Sequence, residues 1–163
     1  MFDKPTSTFL VYSVDEVFEL RKCLMTHLAN LNLSSNVIEK VRRDGWRTLE
    51  WQFLKDKLAR VVAQCLKNIY DCNVWYADLH GGEYDVGYGD KDIDIIVDAC
   101  KNVSAEYLEN ILEKILSDIL KAMLYSDPYE TLGVPNIIEV HDAQQPIYQK
   151  ILKGLYYRAK KLA

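Results

Sequence analysis

Residues 104–124 form the most restrictive stretch of this chain. Leu108, Ile111, Leu112, Ile115, Leu116, Ile119, Leu120 and Met123 recur at spacings of three and four with no Gly or Pro between them, which specifies a long amphipathic helix with a wide apolar stripe. Ser104 is a hydroxyl cap for its first turn, and Glu106 follows in that turn. Short β-branched runs lie on both sides, Ile93-Asp94-Ile95-Ile96-Val97 before and Ile137-Ile138-Glu139-Val140 after. Strand, helix and strand in that order predict a βαβ unit whose two strands are parallel neighbours joined by a right-handed crossover.

The preceding residues predict helices. Ser13-Val14-Asp15-Glu16 has capping-box spacing and opens a helix to about Ala29. A second covers Asn36–Arg43 and ends at Asp44-Gly45, and a third, from about Thr48 to Tyr70, carries Leu49, Phe53, Leu58, Val61, Val62, Cys65, Leu66 and Ile69. Val74-Trp75-Tyr76-Ala77 reads as a first strand, and a loop holds Pro128, Gly133 and Pro135. Pro146 opens a final helix from Ile147 to about Lys160. The expected fold is a single α+β domain over 1–163, with about three strands in a small mixed sheet. Residues 1–70 form its helical N-terminal part and 71–163 a β-β-α-β-α core.

Composition limits the partners. The chain has 163 residues, 49% of them hydrophobic, enough for a folded core. A net charge of −4 and a pI near 5.4 disfavour a long nucleic acid. No apolar run reaches the roughly 18 residues needed to cross a bilayer, and the N-terminus lacks secretory features, so a cytoplasmic protein is expected. Cys23, Cys65, Cys72 and Cys100 are far apart and form no CxxC pair, which favours buried free thiols over disulfides or zinc ligands.

Four of the seven glycines fall within residues 79–99, together with a cluster of acidic residues. Residues two apart in a strand share a face, so Asp92 and Asp94 project together while Ile93, Ile95 and Val97 turn the other way. On the neighbouring strand Glu139 lies between apolar residues, and His141 shares its side. Three converging carboxylates repel one another unless a cation neutralises them, and Mg²⁺, which takes carboxylate and phosphate oxygens, fits that role. Gly87-Tyr88-Gly89 lacks the third Gly of a dinucleotide fingerprint, and no P-loop Gly-Lys-Ser/Thr occurs.

Gly81-Gly82, a gap of nine residues, Asp92-Ile93-Asp94-Ile95, a helix, and then Glu139 in a strand together resemble the polymerase-beta-type nucleotidyltransferase superfamily, its minimal members most of all. The likeness covers roughly residues 58–160. It departs from the family pattern at His80, where a hydrophobic residue is usual, and at Gly82, where Ser is commoner.

The resemblance implies transfer of a nucleoside monophosphate from a nucleoside triphosphate, ATP foremost, to a hydroxyl acceptor with release of pyrophosphate. Two Mg²⁺ ions, replaceable by Mn²⁺, are implied, with Asp92, Asp94 and Glu139 as metal-binding catalytic residues. Gly81 and Gly82 are implied to let backbone amides approach the phosphates, and Lys91 is a candidate phosphate contact. A small-molecule or protein acceptor, and a helical protein partner or homodimer, are the expected partners. The alternative is a catalytically inactive module of the same fold that binds nucleotide or a protein partner.

Overall fold

The computed structural model describes residues 14–78, 91–153 and 158–163. Helix α1 (Val14–Ala29) is followed by α2 (Ser35–Asp44) and α3 (Leu49–Tyr70). Strands β1 (Asn73–Asp78) and β2 (Ile93–Asp98), helices α4 (Ala105–Leu124) and α5 (Pro128–Leu132), strand β3 (Ile138–Asp142), helix α6 (Pro146–Leu152) and strand β4 (Arg158–Lys161) complete the order. The expected cap at Ser13 lies outside the described residues.

Local signals explain where the helices start. The side chains of Ser34, Thr48 and Ser104 accept hydrogen bonds from the backbone N–H three residues on, at Val37, Trp51 and Tyr107. Gly45 ends α2 with φ near +75°, and a Cβ there would meet the carbonyl oxygens of Thr131 and Leu132 at 3.1 Å. A side chain at this point would force α2 away from α5. Packing then decides the arrangement, because burying one Leu or Ile stabilises by about 1.5–3 kcal/mol, while helix propensities of ordinary residues differ by less than about 0.7.

The sheet has the order β3-β2-β1-β4. β2 and β3 are parallel, and α4 is the crossover between them, as the apolar stripe predicts. β1 is antiparallel to β2 on one side and to β4 on the other. The main core lies on the face of Ile93, Ile95 and Val97 of β2 and Ile138 and Val140 of β3. It is continuous with Leu20 and Leu24 of α1, Leu54, Leu58 and Leu66 of α3, and Leu108, Leu112 and Leu116 of α4. The opposite face carries a small apolar cluster of Ala77, Ile96, Ala143 and Ile151.

Three expectations are corrected. The last helix stops at Leu152, and the chain returns at Arg158 as β4, giving the mixed sheet four strands among the described residues in place of about three. Its backbone pairs with β1, Tyr76 opposite Lys160 and Ala77 opposite Ala159, and this ladder outweighs the helical propensity of Arg-Ala-Lys-Lys. The segment after α4 contains a helical turn, α5, capped by the Asp127 side chain with Pro128 in its first turn. All four cysteines are paired, Cys23 with Cys65 and Cys72 with Cys100, so the expectation of free thiols does not hold. The pairs join positions 42 and 28 residues apart, brought together by α1 packing on α3 and by β1 pairing with β2.

Candidate active site

Asp94 and Glu139 are direct partners in the parallel ladder of β2 and β3. Both therefore point to the sheet face away from the main core, and His141 follows Glu139 on that face. His141 Nε2 is 3.1 Å from Asp94 Oδ1 and 3.8 Å from Glu139 Oε1. The Asp94 side chain is fully buried and His141 is partly buried, while 42% of the Glu139 side chain is exposed. The site thus has a closed floor at Asp94 and an open side at Glu139.

Asp92 immediately precedes β2, and its Oδ2 accepts a hydrogen bond from Asn136 Nδ2 at 2.8 Å. Helix α3 holds this point from behind. Trp51 Nε1 donates to the carbonyl oxygen of Lys91 (2.7 Å), and Lys55 Nζ donates to that of Asp92 (3.2 Å). Trp51 and Lys55 are one helical turn apart on the buried side of α3, so one face fixes two consecutive carbonyls. Lys55 is 1% exposed, and its buried ammonium brings positive charge to the foot of the acidic cluster.

Helix α4 does the same for β3. Glu113 accepts the N–H groups of Ile137 and Ile138 at 3.0 Å and the Tyr129 hydroxyl at 2.5 Å, and Glu109 accepts the Val140 N–H at 2.8 Å. β3 is an edge strand, and outward N–H groups of an edge need partners. Glu109 and Glu113, one turn apart, supply them and fix Glu139 between the residues they hold.

Burial pushes His141 below the ordinary histidine range, against the opposing charges of Glu139 and Glu109. Among the described residues its Nε2 meets the carboxylate oxygens of Asp94 and Glu139, which assigns the proton of the neutral ring to Nε2. Tyr148 of α6 stacks on this ring at 4.5 Å between centroids. Burial, then the charges of Asp94, Glu139 and Glu109, raise the Tyr148 phenol above its usual value.

The sequence-predicted residues are thus partly gathered. Asp94 and Glu139 adjoin, with His141 between them. The ligand atoms of these three lie within 4.8 Å of one another, a donor set that suits a divalent cation. Asp92 is directed at Asn136 and stands outside that group. Lys91 is exposed, two residues before β2. Gly81 and Gly82, with His80, Gly87, Tyr88 and Gly89, lie outside the described residues. Sequence reasoning missed Asn136, Trp51, Lys55, Glu109 and Glu113. Lys55 carried a signal, since it stands beside Leu54 and one turn before Leu58 and Ala59, on a stripe that is otherwise apolar. Comparison of the chain with protein-family models, with curated proteins and with solved structures finds no match.

Proposed function

We propose that the chain is a metal-dependent nucleotidyltransferase, moving a nucleoside monophosphate from a nucleoside triphosphate, ATP foremost, to a hydroxyl acceptor. The observation that carries this reading is the pairing of Asp94 with Glu139 on one face of adjoining parallel strands, with Asp92 two residues before Asp94. Bound there, two Mg²⁺ or Mn²⁺ ions would supply charge neutralisation of the attacking and leaving oxygens. Asp94 and Glu139 would hold an ion between the strands, and Asp92, released from Asn136, would join them. Glu139, on the open side, is the carboxylate best disposed to meet an acceptor hydroxyl and take its proton. Lys91, Gly81 and Gly82 are the candidate phosphate contacts.

The acidic balance favours a small-molecule or protein acceptor, and helices α1 to α3 offer a surface for a helical partner or a second copy. No helix among the described residues is long and apolar enough to cross a membrane. A triphosphate donor argues for the cytoplasm, where a reducing milieu would act on the two disulfides.

A second reading has its own support. The His141 N–H already lies between Asp94 and Glu139 and offsets their repulsion without an ion. A nucleotide- or partner-binding module without turnover would keep that arrangement. Pyrophosphate release, measured for each common nucleoside triphosphate with Mg²⁺ or Mn²⁺ and a panel of hydroxyl acceptors, tests the enzyme; calorimetry with ATP and Mg²⁺ tests binding. Release that disappears in Asp94→Asn upholds catalysis, and binding without release selects the module. If neither metal nor nucleotide binds, the enzyme and the nucleotide-binding module both fall, and only a partner-binding module is left.

A further inference from the structure

A second cluster of metal-ligating atoms lies away from the acidic face, between α1 and α3. Cys23 and His27 are one helical turn apart on α1 and so project from the same side, and Cys65 meets them from α3. His27 Nδ1 is 3.7 Å from Cys23 Sγ and 3.9 Å from Cys65 Sγ, and the ligand atoms of all three lie within 4.8 Å of one another. Zn–S and Zn–N bonds of about 2.3 and 2.0–2.1 Å at tetrahedral angles place N and S about 3.6 Å apart. The imidazole therefore already stands near coordination distance from both sulfurs. Cys65 is fully buried, whereas Cys23 and His27 are half-buried, so an ion would enter from the α1 side.

We propose that reduction of the Cys23–Cys65 disulfide turns this cluster into a site for a thiophilic divalent cation, Zn²⁺ above all, with two thiolates and the His27 imidazole as ligands and water in the remaining position. A dithiol, or two equivalents of a monothiol, breaks the S–S bond and becomes a disulfide itself, leaving two thiols on the chain. Each thiol then gives up its proton to solvent as the ion binds. In the oxidised chain His27 Nδ1 is 2.8 Å from the Cys23 carbonyl oxygen, to which it donates. On binding, the neutral ring moves its proton from Nδ1 to Nε2 through solvent, with no net change, so each ion releases two protons. The sulfurs separate to about 3.8 Å, the edge of such a tetrahedron, by side-chain rotation over a Cα–Cα distance of 5.9 Å. Disulfide and metal exclude each other, so the site reports the thiol redox state. Among the described residues no third ligand joins Cys72 and Cys100 in this way.

Anaerobic titration of the reduced full chain with Co²⁺ tests the proposal, because thiolate-to-cobalt charge transfer gives an absorption band that the carboxylate-lined face cannot produce. The expected result is one Co²⁺ per chain with that band, displaced by Zn²⁺ with two protons released per ion, and no band from the oxidised chain. Cys23→Ser and Cys65→Ser should abolish the band, and the pair Cys72→Ser with Cys100→Ser should retain it. His27→Gln should weaken Co²⁺ by at least the roughly 10- to 100-fold typical of losing an outer-shell partner. Absence of the band from the reduced chain overturns the proposal, whether that chain stays folded or loses its circular-dichroism spectrum. Persistence of the band in Cys23→Ser, or its loss with Cys72 and Cys100, does so too. If a serine variant fails to fold, His27→Gln decides, since it keeps both sulfurs: unchanged affinity refutes the site. None of these readouts depends on nucleotidyl transfer.

Discussion

Asp94 and Glu139 are register partners across β2 and β3, one fully buried and the other open to solvent. The asymmetry separates two effects of removing charge. Under the proposed nucleotidyl transfer, Asp94→Asn and Glu139→Gln should each lower pyrophosphate release by about 10²-fold or more, the scale for losing one group that stabilises developing charge. Only Asp94→Asn should also shift the thermal midpoint in the absence of metal, because only its carboxylate is sealed from water. Steady-state rates and melting curves on the two variants check this, and a Glu139→Gln enzyme with undiminished turnover would remove Glu139 from the site.

Glu113 joins α4 to the start of β3 through three donors, the N–H groups of Ile137 and Ile138 and the Tyr129 hydroxyl. A hydrogen bond to a charged group contributes about 1.5–3 kcal/mol, and leaving a buried N–H unsatisfied costs about 1–3. Glu113→Ala should therefore destabilise the chain by about 3 kcal/mol in urea denaturation. Weakened metal binding at Glu139 should accompany the loss, since Glu139 is the next residue but one after Ile137. Glu109→Ala, which frees only the Val140 N–H, should cost less. Negligible costs for both substitutions would show that β3 is held by its ladder to β2 without help from α4.

Tyr129 gives the fold a dependence on alkaline pH. Burial first, then the hydrogen bond to Glu113 and that carboxylate's charge, push its phenol up to about 12. In the unfolded chain a phenol titrates near 10, so the folded state holds the proton more tightly. The resulting stability is fully present below about pH 10 and is lost as pH rises through about 12. Urea midpoints of the wild type and Tyr129→Phe, compared at about pH 9 and about pH 11, should converge as pH rises. A constant gap between them would mean that the Tyr129–Glu113 bond does not sense pH.

Much of the acidic face could be read from residue order, and the reason is periodicity. The stripe from Leu108 to Leu120 dictates a helix, the helix between two β-branched runs dictates parallel neighbours, and parity then fixes which face Asp94 and Glu139 share. Neither β4 nor the cysteine pairing had such a signal. Ala159 is the only apolar residue in Arg158–Lys161, and lysines suit an edge strand without announcing one. Cys23 and Cys65 meet only because α1 packs on α3, a contact that pattern within either helix does not encode. Asn136 and Glu113 act through strand-start and helix-to-strand hydrogen bonds, which carry no period at all.

The Cys72–Cys100 bridge ties the residue before β1 to the loop after β2, closing a segment with a sequence separation of 28. Chain-entropy scaling for a loop of that size gives about 3.5 kcal/mol of stabilisation. Cys72→Ser with Cys100→Ser should lower the urea midpoint accordingly, and a reductant should do the same to a chain that retains only this bridge, made by replacing Cys23 and Cys65 with Ser. The bridge lies at the end of β1 and β2 away from Asp92, so metal binding at the acidic face should survive its loss. A double variant as stable as the wild type would mean that the β1–β2 ladder already restricts the unfolded chain.

His141 distinguishes an enzyme from a binding module. Its Nε2–H stands between Asp94 and Glu139, and an ion bound by both carboxylates must either recruit the imidazole as a ligand or displace it. Removing the ring leaves the buried Asp94 oxygen without this donor, a loss of about 1–3 kcal/mol, and leaves the two carboxylates to repel each other. His141→Ala should thus lower the metal-free melting temperature while enlarging the stabilisation gained from Mn²⁺, because the cation then does alone what the imidazole did. Tyr148→Ala, which removes the stacked ring but leaves the imidazole in place, should lower the melting temperature without that larger metal response. If His141→Ala instead abolishes Mn²⁺ stabilisation, the imidazole is itself a required ligand; if Mn²⁺ stabilises neither the wild type nor His141→Ala, the acidic face holds no ion and the imidazole is its permanent counterpart.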